Sequence, residues 1–95
     1  MILASAKILI STEECTSLKA KRKILMSIKI RLKNKFNLSV AEIDYQDVYH
    51  EGLLGIACVS NDAAFANQLI SKAMDFIEEA FPGRLVDYQM NIETK

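Results

Sequence analysis

Apolar residues recur with two different periods along the chain, and each period predicts a different element. Residues 2–10 alternate, which is typical of a strand with one buried side. The buried side of this strand would consist of Ile2, Ala4, Ala6, Ile8 and Ile10. From about residue 18 the period lengthens to that of a helix, which Thr16 or Ser17 could cap. Its apolar stripe comprises Ile24, Leu25, Ile28, Leu32 and Phe36, and Asn37 is a plausible end.

The rest of the chain repeats this sequence of periods. Residues 41–45 alternate, with Ala41, Ile43 and Tyr45 on one side and Glu42 and Asp44 on the other. Residues 48–52 are typical of a hairpin connection, and residues 53–60 are apolar on both faces, as in a central strand, where Gly55 suits a bulge or a close approach. Asn61 or Asp62 would cap a second helix that ends at residues 81–83. In a last strand, the inward side would consist of Val86, Tyr88, Met90 and Ile92.

The predicted order of elements is therefore β-α-β-β-α-β. Right-handed crossovers and one tight hairpin leave few ways to arrange this order. We expect an α+β protein with a ferredoxin-like sandwich, in which a four-stranded antiparallel sheet carries both helices on one face. Residues 1–95 would form a single domain, because the chain is short and contains no linker or repeat.

Charge is distributed unevenly over these elements. The chain has twelve basic and twelve acidic residues, yet residues 17–36 hold eight of the cations and no acid. Cations near a helix N-terminus oppose the helix dipole, and Lys19 with Lys23 is one of several like-charged pairs four residues apart. A phosphate-bearing partner would be attracted by the same cations and by the positive end of the helix dipole, so their repulsion in the free protein would be offset on binding. The alternative is a solvated helix face, part of whose charge acids of the second helix could neutralise, namely Asp75, Glu78 and Glu79.

The outward side of the first helix is the predicted contact surface. Met26 and Ile30 lie roughly opposite the core stripe and would make close apolar contact with a partner inside a charged rim. The residues predicted to contact nucleic acid are Lys19, Lys21, Arg22, Lys23, Lys29 and Lys33.

The open face of the sheet does not suit RNA. Sheets of this topology that bind RNA use aromatic side chains on their central strands, and residues 52–60 contain none. We expect four acids on this face, namely Glu42, Asp44, Asp87 and Glu93, where they would repel phosphate. Apolar residues near its middle, from Leu9 and residues 53–59, make coverage by a second copy plausible.

Catalytic chemistry is not indicated. His50 is the single histidine, and it falls in a predicted loop beside Tyr49. One histidine and two distant cysteines, Cys15 and Cys58, do not make a metal site, and no phosphate-binding or nucleophile motif occurs. We therefore expect no enzyme, cofactor or metal. The chain shows neither a signal peptide nor a membrane-spanning run, so we expect a cytoplasmic protein with reduced thiols and no membrane partner.

The chain resembles the YlxP-like family of small bacterial proteins, a domain of unknown function. The resemblance rests on the SLKxKR signature at residues 17–22, on NKFN at residues 34–37 and on SND at residues 60–62. It implies a ferredoxin-like fold and a bacterial setting near translation and ribosome-maturation genes, with a role as a small-subunit ribosome-binding factor. Members of the family often carry a tryptophan after the QD pair at residues 46–47, where this chain has Val48, Tyr49 and His50.

Two main hypotheses follow for the function. The first is a non-catalytic module that binds rRNA or the small ribosomal subunit through phosphates, without DNA specificity because nothing in the sequence reads bases. The second is a homo-oligomeric protein-interaction domain, for example a homodimer, that uses the sheet face or the patch of Met26 and Ile30 and has no nucleic-acid role. A small-molecule sensor or enzyme on the same fold is the least favoured hypothesis.

Overall fold

Six elements follow one another in the predicted order, and the computed structural model describes all residues from 1 to 95. They are β1 (Ile2–Ser11), α1 (Leu18–Lys35), β2 (Ser39–Asp44), β3 (Glu51–Ser60), α2 (Ala63–Ala80) and β4 (Leu85–Thr94). The four strands form one antiparallel sheet in the order β2-β3-β1-β4. The prediction of a ferredoxin-like α+β fold is thereby confirmed.

Both helices cover the same face of the sheet, and the core lies between the two layers. The register places Ile8 of β1 beside Leu54 of β3, and both side chains are fully buried. The predicted apolar stripe of α1 packs on them through Ile28 and Leu32, and α2 packs on them through Ile70 and Ile77; all four side chains are fully buried. Neither helix combines the length and the apolarity needed to cross a membrane.

Side-chain caps begin both helices. Ser17 Oγ accepts a hydrogen bond from the Ala20 N–H at 3.1 Å, so Ser17 caps α1. Asp62 Oδ1 accepts from the N–H groups of Ala64 at 2.9 Å and Phe65 at 3.4 Å, so Asp62 caps α2. Each side chain satisfies backbone donors that the first turn of a helix leaves free.

The orientation of β2 differs from the prediction. Glu42 lies opposite Leu54, on the side that faces the helices, and Ala41 lies opposite Gly55 on the open side. The prediction that Glu42 lies on the open face is therefore wrong. The register shifts between Glu42 and Asp44, so the strand does not keep one alternation to its end.

The last strand is only partly buried. Tyr88, Met90 and Ile92 lie opposite buried residues of β1 and so face the helix side, as predicted. They nevertheless remain 42%, 37% and 37% exposed, because β4 is an edge strand with a neighbour on one side only. Val86 departs from the prediction, since a register shift between Leu9 and Ile10 displaces it and leaves it 58% exposed.

Candidate nucleic-acid interface

The outward side of α1 carries a continuous stripe of residues spaced three and four apart. We call this set the basic stripe: Lys19, Arg22, Lys23, Met26, Lys29, Ile30 and Lys33. A helix has 3.6 residues per turn and rises 1.5 Å per residue, so the stripe occupies one flank over roughly 21 Å. All its members are exposed except Lys29, which is partly buried.

Two apolar side chains lie within the basic stripe. Met26 is 51% and Ile30 is 49% exposed, although both are large hydrophobic residues. Their position follows from the helical period, because the residues that pack on the sheet, such as Leu25 and Ile28, occupy the opposite side of the helix. The surface therefore has an apolar middle and a charged periphery.

No carboxylate neutralises the basic stripe at close range. The structure contains three ion pairs within 4.0 Å, and none of them involves a stripe residue. The acids of α2 that could have neutralised the first helix, Asp75, Glu78 and Glu79, make no ion pair with it. The first turn of α1 contains no acid either, so its lysines add to the positive end of the helix dipole.

Lys21 does not belong to this surface, so the prediction that it contacts nucleic acid is wrong. Its side chain is 1% exposed, so it cannot contact a phosphate in this structure. Lys21 precedes Leu25, Ile28 and Leu32 at spacings of four, seven and eleven residues, which places it on the buried stripe. The helical spacing in the sequence could therefore have predicted that Lys21 is buried. The prediction grouped the residues of α1 by charge and so missed it.

The buried ammonium of Lys21 connects α1 to β2 and to the loop that follows. Its Nζ lies 3.3 Å from Glu42 Oε2 and donates a hydrogen bond to the Tyr45 carbonyl. Tyr45 has a left-handed backbone (φ 63°), and the same carbonyl accepts from the Val48 N–H at 3.1 Å. The Asp44 Oδ1 accepts from the Tyr45 N–H at 2.8 Å and so stabilises this turn locally.

The two remaining cations of α1 lie on the flank that faces α2. The guanidinium carbon of Arg31 lies 5.4 Å from the ring centre of Phe76 and 5.0 Å from that of Phe81. Lys35 Nζ lies 4.9 Å from the ring centre of Phe76. These contacts are cation–π interactions, which employ the two charges in packing the helices together.

Lys7 lines three shallow depressions on the open face of the sheet, and two of these also include residues of β3. One, of about 320 Å³, is lined by residues that include Ala41, Ile43 and Gly55. A Cβ at Gly55 would lie 3.0 Å from Ile43 Cγ2, so the absent side chain allows the close approach that the sequence predicts. The other, of about 210 Å³, adjoins Asp87 of β4, a carboxylate that repels phosphate.

Groups that could support other chemistry are dispersed. No three His, Cys, Asp or Glu side chains gather closely enough to hold a metal ion. Cys15 and Cys58 are free and buried, and burial raises the pKa of the Cys58 thiol. His50 is exposed in the β2–β3 loop, where its Nδ1 lies 3.3 Å from the Glu13 carbonyl oxygen.

The fold is similar to that of designed proteins. A de novo protein described as LFR1 1 with ferredoxin fold aligns over 100% of this chain and 88% of its own, with a TM-score of 0.58 at 13% identity. The de novo protein Foldit4 aligns over 100% of this chain and 99% of its own, with a TM-score of 0.57 at 13% identity. Identities this low are informative about the fold alone.

Sequence similarity identifies the family. Residues 3–90 match the family described as Protein of unknown function (DUF503). The chain is also 41% identical over 66 residues to "Uncharacterized protein YlxP" of Bacillus subtilis (strain 168). This alignment covers 70% of this chain and 71% of that protein. The chain therefore belongs to the DUF503 family and is YlxP-like, as the signature at residues 17–62 predicts.

Proposed function

We propose that this protein is a non-catalytic, cytoplasmic RNA-binding module that associates with the ribosome by placing the basic stripe on rRNA phosphates. The observation that carries the proposal is the basic stripe itself, whose five cations have no carboxylate within 4.0 Å. In a formally neutral chain, this arrangement concentrates a positive field on one helix flank. A nucleic-acid backbone carries the dense negative charge that such a field attracts, and the family resemblance favours RNA as its source.

The position of the cations supports a backbone contact. Lys19, Arg22 and Lys23 lie in the first turns of α1, where the helix dipole adds to their charge. Lys29 and Lys33 extend the contact toward the C-terminal half of the helix. Because lysine binds phosphate as a point charge, this set favours affinity over base recognition.

Met26 and Ile30 give the proposed contact its close-packed centre. Apolar side chains this exposed in the middle of a charged surface are typical of the inner part of an interface. They would exclude water beneath the bound backbone, and specificity would come from the shape of the RNA and from ribosomal protein neighbours. A role in small-subunit maturation agrees with the family resemblance and forms part of the same proposal.

Charge reversal on the basic stripe tests the proposal. A triple variant, Lys19→Glu, Arg22→Glu and Lys23→Glu, should lose co-sedimentation with small ribosomal subunits while it keeps its circular-dichroism spectrum. The matched control substitutes glutamate for Lys7, Lys72 and Lys95, which lie outside α1. It changes the net charge of the protein by the same amount as the triple variant. We expect the control to sediment with ribosomes like the unmodified protein.

The salt dependence of binding adds a second measurement. Phosphate contacts release counterions, so the slope of log affinity against log salt should be roughly −0.7 for each contacted phosphate of single-stranded RNA. Nuclease treatment of a lysate should also release the protein from the ribosomal fraction. Co-sedimentation that survives the stripe reversal, or that is equally lost in the control, contradicts the proposal.

A homo-oligomeric protein-interaction domain is the second candidate. It is favoured by exposed apolar residues on the open sheet face, where Val59 is 64% and Ile43 is 44% exposed. In that case, the charges of α1 would serve solubility, and partner capture would be unaffected by nuclease. Capture that resists nuclease but is lost on Val59→Lys would favour this candidate over RNA binding.

A further inference from the structure

The strand β4 ends the sheet and offers an unpaired edge. Met1 and Lys95 exchange two hydrogen bonds: the Lys95 N–H donates to the Met1 carbonyl at 2.8 Å, and the N-terminal ammonium of Met1 donates to the Lys95 carbonyl at 3.0 Å. In an antiparallel ladder, such reciprocal pairs recur at every second residue. The odd-numbered residues of β4 therefore bond to β1, and the even-numbered ones direct their N–H and C=O groups away from it.

The same even-numbered residues carry exposed apolar side chains. Tyr88, Met90 and Ile92 lie on the helix side of β4 and are each more than a third exposed. The edge thus combines unpaired backbone groups with a row of apolar side chains, and another strand with the same pattern satisfies both. Among the outward N–H groups, that of Tyr88 already donates to Asp87 Oδ1 at 2.8 Å.

The features that prevent an edge strand from pairing with another chain are present on β2 and absent from residues 88–94 of β4. Natural edge strands are protected by being short, by a bulge, or by Lys and Pro. The other edge strand, β2, has six residues and a register shift near Glu42. By contrast, residues 88–94 keep an unbroken register with β1 and contain no Lys or Pro.

We propose that β4 pairs with β4 of a second copy around a twofold axis, which joins two sheets into one of eight strands. A self-pairing strand needs a register in which opposite residues tolerate each other. An axis at Met90 sets Asp87 against Glu93 of the other copy, which are like charges. An axis at Gln89 leaves Lys95 without an opposite strand residue.

An axis at Asn91 is the register that the side chains favour. It sets Asp87 opposite Lys95 of the other copy, a pair of opposite charges. It also sets Met90 opposite Ile92, so the apolar side chains of both copies meet on the helix side. The outward backbone groups then face one another, as an antiparallel ladder requires.

The rest of the molecule accommodates this pairing. On the helix side, α2 packs on β1 and β4, so the paired β4 strands would bury their apolar side chains between two copies of α2. The basic stripe is remote from the axis, because α1 packs on β2 at the other edge of the sheet. The inference is independent of RNA binding, and each can fail without the other.

Single cysteines test the register. In the proposed dimer, the two Asn91 residues form the central non-hydrogen-bonded pair with Cα atoms about 4.5 Å apart, which lies within disulfide range. Asn91→Cys should therefore yield a covalent dimer under mild oxidation. Gln89→Cys and Glu93→Cys are matched controls, because each would place its two copies roughly 13 Å apart. The native thiols, Cys15 and Cys58, are buried and should not interfere.

A proline at the edge tests the pairing without cysteine chemistry. The N–H of Met90 points away from β1, so Met90→Pro removes no bond of the native ladder but blocks a neighbouring strand. Sedimentation velocity should show a dimer for the unmodified protein and for Val59→Lys, which alters the open face, and a monomer for Met90→Pro. If Met90→Pro fails to fold, the cysteine series decides.

Three results would overturn the inference. They are a protein that stays monomeric at millimolar concentration, a dimer that survives Met90→Pro, and disulfide formation at position 91 that is no faster than at 89 and 93. Loss of the dimer in Val59→Lys would assign the contact to the open face instead.

Discussion

The ammonium of Lys21 lies 3.3 Å from Oε2 of Glu42 and joins the start of α1 to the end of β2. The Lys21 side chain is 1% exposed, and Glu42 Oε2 is buried without a hydrogen-bond partner. The lysine is therefore the group that compensates this carboxylate. A residue of the SLKxKR signature consequently serves the fold, while Lys19 and Arg22 beside it remain exposed.

Removing the lysine alone should destabilise the protein strongly. Lys21→Met keeps most of the apolar stem but leaves the Glu42 carboxylate without its partner, and because the Glu42 side chain is 21% exposed we expect a cost of about 2 kcal/mol. Urea unfolding followed by circular dichroism measures the change. The double variant Lys21→Met with Glu42→Leu should recover most of the loss, because no buried charge remains. A single variant as stable as the unmodified protein would show that water, and not Lys21, solvates Glu42.

Much of the fold could be predicted because local signals agree with one another. The period change near residue 18 and the caps at Ser17 and Asp62 determine the element order, and short connections restrict the topology. The sidedness of β2 could not be predicted from its alternation alone. Glu42 lies on the helix side because Lys21 partners it there, and that pairing joins residues 21 positions apart in the sequence.

The candidate site was predictable to a similar extent. Exposed Met26 and Ile30 follow from the helical period, as do four of the lysines and Arg22. Charge alone could not predict which cations of α1 are exposed on the basic stripe and which contact other parts of the protein. Arg31 departs from the outward flank because α2 brings Phe76 and Phe81 beneath it, a contact that only the packing of the two helices creates.

Substitutions of Arg31 and Lys33 should affect different properties, stability in the first case and RNA binding in the second. Arg31→Gln removes the cation from above Phe76 and Phe81 and should lower the free energy of unfolding by about 0.5–1 kcal/mol without changing RNA affinity. Lys33→Gln, two residues along on the basic stripe, should leave stability within about 0.5 kcal/mol. It should also reduce the salt slope of RNA binding by about 0.7.

Thermal melts and a salt titration of both variants check this pair of expectations. The two substitutions remove one charge each from the same helix, so net charge cannot explain a difference between them. Equal losses of RNA affinity would show that location on the stripe is irrelevant and that overall charge governs binding.

The ion pair between Glu14 and Arg84 should give stability a dependence on acid pH. Arg84 Nη1 donates to Glu14 Oε1 at 2.8 Å, and this hydrogen bond holds the pKa of the carboxyl below its usual value of 4.5. A carboxyl whose pKa is lower in the folded state stabilises the protein above the unfolded pKa and loses that contribution as pH falls through the folded pKa.

Arg84→Met should therefore cost more stability at pH 6 than at pH 3, as thermal unfolding at both values would show. A residual difference should persist at pH 3, because Arg84 Nη1 also donates to the Ser11 carbonyl at 3.0 Å. Glu14→Gln is the control, since it should remove the pH-dependent part and retain the Ser11 contact. A difference between variant and unmodified protein that stays constant with pH would contradict the assignment.

Lys19 should show a conflict between folding and binding. It lies in the first turn of α1, where a cation opposes the helix dipole, and four residues before Lys23, another cation. Lys19→Glu reverses both effects, because the carboxylate suits the dipole and forms an attractive pair with Lys23. We expect the free energy of unfolding to rise by about 1 kcal/mol.

The same substitution should weaken RNA binding, because it places a negative charge on the basic stripe. Urea unfolding and RNA titration of one preparation measure both properties, and Lys19→Gln should fall between the parent and Lys19→Glu in each. A residue that costs stability persists most readily where it serves a function. If Lys19→Glu is more stable and binds RNA equally well, the charge at this position has no phosphate partner, and the proposed orientation of α1 on RNA is wrong.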